Sequence, residues 1–185
     1  HYSHRVVSRS IVKPFPEDFA KNLVAAMDAA SAVVLQEEDG AIRALEKSVL
    51  ARICENGLQG REAGKIFAQN SVIGVKEVQR LASQDKNAMI RRITGTFTQA
   101  AVRSSVQSKK EAKIFFRELK AGALAAYFAA KEIKPNLANV AFQAAANKGM
   151  RGTAKGVDFG KGVAAAAIAL EEVFDSYKDS NPEVY

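Results

Sequence analysis

The stretch SKKEAKIFFRELKAGALAAYFAAKEI, residues 108–133, decides the fold class. Ser108 and Glu111 have the spacing of a capping box, in which the serine hydroxyl accepts from the third residue on and the glutamate reaches back. Ile114, Phe115, Leu119, Gly122, Ala126 and Ala129-Ala130 then recur at helical spacing up to Ile133, and Pro135 ends the run. Apolar residues at steps of three and four place one face of a helix against a core. Small residues at Gly122, Ala126 and Ala129 beside bulky Phe115, Leu119 and Tyr127 mark this helix as a packing interface, where backbones approach closely.

The same reading extends in both directions. Pro16-Glu17-Asp18 opens a helix whose face is Phe19, Leu23, Met27, Ala30 and Val34, and Gly40 closes it. Ile42, Leu45, Val49, Leu50 and Ile53 predict a second helix over 41–55, with Asn56-Gly57 as its stop. Short helices are expected at 61–69 and 75–83, a fifth at 87–105, one at 136–147 and a last at 163–177. Gly149 to Gly162 reads as a mobile glycine-rich loop between the last two. No proline occurs between Glu17 and Lys134, which favours helices over a turn-rich β fold. No period of 20 to 50 residues stands out, so regular repeats are not expected. The expected fold is all-α, with about seven or eight helices and the Ala-rich ones at its centre. The expected organisation is a basic arm at 1–15, a helical domain at 16–178 and a tail at 179–185.

Composition narrows the chemistry. The only histidines are His1 and His4, so no histidine in the body can act as a general base or activate a nucleophile. A His-x-x-His pair without a third ligand is a weak metal motif. Cys54, the only cysteine, excludes an intramolecular disulfide and reads as a buried thiol beside Ile53. The acidic clusters Glu37-Glu38-Asp39 and Glu171-Glu172 put neighbours on different helix faces and make no facing acid pair. Gly156 to Lys161 resembles part of a phosphate-binding loop, but its glycine spacing is one short and Gly162 stands where Ser or Thr must ligate magnesium. No catalytic residue, cofactor or metal site is expected. The longest uncharged run, 135–147, is 13 residues, short of the roughly 20 apolar residues a membrane span needs.

Charge is segregated along the chain. Residues 61–120 carry 13 basic and 5 acidic groups, a net +8 in a chain of +7. Lys109, Lys113, Arg117 and Lys120 step by four, four and three along one helix face. With Arg91, Arg92 and Arg103 they form the candidate surface for an anionic partner: an acidic protein, a lipid surface or nucleic acid. Residues 1–16 hold Arg5, Arg9 and Lys13, three serines and no acid, and the sequence starts at His1 rather than Met. Organellar targeting segments have this composition, so a mitochondrial or other organellar address is one expectation and a plain basic arm the other. These features favour a non-enzymatic structural or accessory subunit that docks into a larger protein assembly by helix packing and charge complementarity. The alternative is a basic nucleic-acid-binding or coat-like packaging protein.

Overall fold

A computed structural model of the chain describes residues 16–184; the basic arm, with His1, His4, Arg5, Arg9 and Lys13, lies outside the described residues. The fold is all-α, with no strand among the described residues. Its helices are α1 (Pro16–Leu35), α2 (Gly40–Arg43), α3 (Glu46–Asn56), α4 (Arg61–Ser83), α5 (Ala88–Arg92), α6 (Thr94–Arg103), α7 (Lys109–Ile133), α8 (Ala138–Lys148) and α9 (Thr153–Ser180). Short 3₁₀ turns cover Pro135–Leu137 and Pro182–Val184. The chain divides between Val72 and Ile73 into two compact units, and α4 contributes to both.

In the first unit α3 packs on α1, burying Val49 and Ile53 on one side and Ala26, Ala29, Ala30 and Val34 on the other. The start of α4 meets α1 closely: a Cβ added at Gly64 would fall 2.6 Å from the Cα of Ala26. In the second unit α8 and α9 both pack on α7. Ala126, Ala130, Ala141 and Ala145 form a fully buried cluster, with Met150, Phe159 and Val163 against it. The Ala-rich α7 and α8 are therefore central in this unit, because small side chains let helices converge, whereas the Ala-rich run of α9 leaves Ala165, Ala166 and Ala169 exposed.

Five expectations about the helices change. Gly40 does not close α1, which ends at Leu35, but opens α2 behind its cap Asp39. The predicted 41–55 helix breaks at Ala44-Leu45, and the predicted 87–105 helix breaks at Ile93, where φ is −108° and ψ 28°. The predicted pair 61–69 and 75–83 is one continuous helix. Asn70, Ser71 and Gly74 look like a break in isolation, but Gly74 is needed for contact: a Cβ there would lie 2.7 Å from the carbonyl oxygen of Val106. The last helix starts at Thr153, ten residues before its expected start, so most of the predicted glycine loop is helical. Gly156 and Gly160 are buried in it, and glycine's cost of about 1 kcal/mol in a helix is offset by the approach it allows.

The largest correction is a repeat. Asp39 and Asn87, 48 positions apart, cap α2 and α5 identically, each accepting from the N–H two residues on at 2.8 and 2.9 Å. Arg43 and Arg91, again 48 apart, each donate from Nη1 to the carbonyl six residues back, on Glu37 and Asp85. Helices α3, α6 and α8 end in one left-handed residue, Gly57, Ser105 and Gly149, with φ of 61°, 56° and 70°. The next N–H closes the same turn each time: Leu58 to Ile53, Val106 to Ala101 and Met150 to Ala145, at 3.1, 3.0 and 2.9 Å. The unit is a long helix, a short one, a medium one and a left-handed stop. Among the described residues it occurs three times, and α9 begins a fourth. The third copy is four residues shorter, its short helix reduced to the turn at Pro135–Leu137. Phe19, Phe67, Phe115 and Phe159 occupy one position in the four long helices.

Candidate interaction surfaces

The small-residue face of α7 lies against this chain's own last helix. A Cβ on Gly156 would fall 2.8 Å from the carbonyl carbon of Gly122, and one on Gly160 would fall 2.8 Å from the Cα of Ala126. Gly122 faces a second element too: its added Cβ would meet the carbonyl carbon of Met150 at 2.8 Å. Ala129 is also buried. The contacts advance together along both helices, so α7 and α9 run parallel, with α8 returning between them. Gly122 and Ala126 are thus occupied within the chain.

The seven predicted basic residues separate into two groups. Lys120 donates to Asp85 at 2.7 Å, Arg91 binds the carbonyl oxygens of Asp85 and Lys86, and Arg103 binds the carbonyl oxygen of Asn147. These three hold loops and helix ends in place. Arg92, Lys109, Lys113 and Arg117 are exposed, and so is Lys110. The side chain of Glu77 lies buried beside this region, hydrogen-bonded by Arg80 at 2.6 and 3.1 Å. That hydrogen bond holds its carboxyl below the usual range. Burial opposes the effect, while the positive charges of Arg80, Lys113 and Lys109 add to it. Phe115 and Phe116 are buried, so the basic face offers no stacking platform from them; Arg151 covers the Phe115 ring at 5.3 Å and pairs with Glu118.

Sequence reasoning missed the second surface. The far half of α9 is exposed all round from Leu170 to Ser180. Glu171 pairs with Lys134 at the end of α7, so the nine residues 172–180 extend about 14 Å past it. Leu170, Val173, Phe174 and Tyr177 form an apolar stripe at steps of three, one and three; Leu170 is 56% and Phe174 51% exposed. In the three earlier copies the residues at these two positions, Ala30 and Val34, Val78 and Ala82, and Ala126 and Ala130, are at most 1% exposed. The stripe is a core face without its cover.

Cys54 is exposed rather than buried, since α3 turns Val49 and Ile53 inward and leaves position 54 on its flank; its Sγ lies 3.4 Å from the Sδ of Met27. Among the described residues no three His, Cys, Asp or Glu side chains gather as a metal site, and no helix is long and apolar enough to cross a membrane. No family model, curated protein or solved structure matches the chain.

Proposed function

We propose that this chain is a non-enzymatic structural subunit that joins a larger protein assembly by helix packing, with the exposed basic face of α7 meeting an acidic partner. The observation that carries the reading is the exposure of Leu170 and Phe174 at positions buried in every preceding repeat. Large exposed apolar surface on a projecting helix favours protein contact. The lack of any histidine after His4 supports a role without acid–base catalysis. An organellar address rests on residues 1–16 alone. The test is the native mass of the chain in extract from its source. It should run in a complex well above its own 19.9 kDa, and Phe174→Glu should return it to that mass. A wild-type chain that runs at 19.9 kDa, unaffected by the substitution, contradicts the reading.

A second reading is nucleic-acid binding, favoured by the exposure of Lys109, Lys110, Lys113 and Arg117 along about two turns of α7. Phosphate binding releases counterions, so affinity falls steeply with salt, with a log–log slope near −0.9 per phosphate neutralised on duplex DNA. Titration of duplex and single-stranded oligonucleotides at several salt concentrations decides it. A flat response removes this reading.

A further inference from the structure

We infer, building on the subunit reading, that the exposed face of α9 receives a second copy of this chain through that copy's α1. Each long helix of the repeat has two faces that are apolar apart from Ser71. The forward face holds Ala30 and Val34, Val78 and Ala82, Ala126 and Ala130, then Leu170 and Phe174. The rear face holds Phe19 and Leu23, Phe67 and Ser71, Phe115 and Leu119, then Phe159 and Val163. Inside the chain a forward face is covered jointly by the medium helix of its own copy and by the rear face of the next long helix: Ala126 and Ala130 pack with Ala141 and Ala145 of α8 and with Phe159 and Val163 of α9. Phe67 and Ser71, like Phe115 and Leu119, are buried. Among the described residues two faces remain exposed, one in the first long helix and one in the last. They are the forward face of α9 and the rear face of α1, where Phe19 is 39% exposed and Val24 is exposed as well. They are the two long-helix faces of a contact that the chain already makes within itself, where the medium helix adds a third.

Residue pairs carry the match further. The ion pair Lys120–Asp85 fastens α7 to the end of α4. Moved to the ends of the series, the same two positions are Val24 and Tyr177, an apolar pair, and both are exposed. Gly160 lies on Ala126; the corresponding pair is Ala20 and Leu170, so the smaller residue again sits on the incoming helix. Charge disfavours the simpler arrangement in which two α9 helices pair symmetrically. Glu171 is already paired with Lys134, but Glu172, Asp175 and Asp179 against their own copies would repel, with Lys178 to compensate. Against α1 the acids meet Glu17, Asp18 and Lys21, a weaker repulsion around an apolar centre. The contact joins two different faces, so it is heterologous. Each added copy presents a fresh α9, and the assembly grows until it closes into a ring or continues as a filament.

The test is light scattering and sedimentation of the purified full-length chain over a range of concentration and salt. The mass should rise with concentration beyond the dimer. It should rise further at high salt, which screens the facing acids. Phe174→Glu and Phe19→Glu should each leave a monomer with an unchanged helical circular dichroism spectrum. Mixed one to one, the two variants should give a twofold mass and stop there, because the mixture holds one intact face of each kind. Leu170→Glu and Val24→Glu repeat the experiment at more exposed positions. A wild-type chain that stays monomeric overturns the inference. So does a Phe19→Glu variant that assembles normally, which would mean symmetric α9 pairing. If the pure chain is monomeric yet Phe174→Glu still dissolves the complex in extract, the occupant is another protein. The inference then fails and the subunit reading stands. If neither changes, both fail.

Discussion

Gly57 and Ser105, 48 positions apart, end their helices in the same left-handed turn, with φ of 61° and 56°. Glycine adopts this conformation freely, but serine carries a Cβ that clashes with the carbonyl beyond it. A left-handed residue with a side chain costs roughly 1–2 kcal/mol, and glycine's extra freedom when unfolded takes back about 0.5–1 of that. Ser105→Gly should therefore stabilise the protein by up to about 1 kcal/mol in urea unfolding. A destabilised variant would show that the serine side chain contributes more than the backbone loses.

The paired caps predict paired effects. Asp39→Ala and Asn87→Ala each remove the acceptor for the second N–H of a short helix, which has few bonds of its own. Each should cost about 0.5–2 kcal/mol. Hydrogen exchange should locate the loss at 40–43 and at 88–92 respectively. Loss confined elsewhere would count against the shared role.

Glycines of α9 should respond in opposite directions. Gly156→Ala puts a methyl 2.8 Å from the carbonyl carbon of Gly122 and 2.9 Å from the Cβ of Ala125, so α7 and α9 must separate. The cost should be about 1–3 kcal/mol, and Ala126→Leu should match it from the other side. Gly162→Ala meets nothing within 4 Å, and should stabilise the helix by up to about 1 kcal/mol. Thermal melts of the three variants read the difference. A silent Ala126→Leu would make this seam peripheral.

The Glu77–Arg80 pair predicts a pH signature. The Glu77 carboxyl titrates lower when folded than when unfolded. Its stabilising contribution is therefore complete above the ordinary carboxylate range and is lost as the pH falls through the folded value. Glu77→Gln should be less stable than wild type at neutral pH, and the two curves should converge in acid. Curves that stay parallel through the acid limb would mean that Glu77 acts through packing alone.

The helix at 108–133 was legible because its signals are local: a serine cap, steps of three and four, and a proline beyond the end. Structurally, Ser108 accepts from Glu111 at 3.1 Å, and Glu111 reaches back to Gln107, one residue earlier than the simple capping box expects. The breaks at Ala44-Leu45 and Ile93 were not legible, since Ile42, Leu45 and Val49 continue the apolar step straight through the first of them. Gly156 and Gly160 read as loop residues because glycine is a poor helix former alone, and only α7 shows what they are for. The repeat was present in Phe19, Phe67, Phe115 and Phe159. It was hidden because, apart from Arg43 and Arg91, its other matched positions are conformational, filled by Gly, Ser and Gly or by Asp and Asn. The basic face followed from spacing. That Lys120 is spent on Asp85, 35 positions away, required the fold.

The seams joining one long helix to the next have a bearing on how the chain is made. Ala26 meets Gly64 and Gly122 meets Gly156, at separations of 38 and 34 positions. Each seam can form as soon as the second helix has emerged, without waiting for the rest of the polypeptide. Contacts this near in sequence lower the entropic cost of closure and favour rapid folding in order of synthesis. The stretch from Leu170 to Ser180 differs, because it follows the last seam and has no later helix among the described residues to fold against.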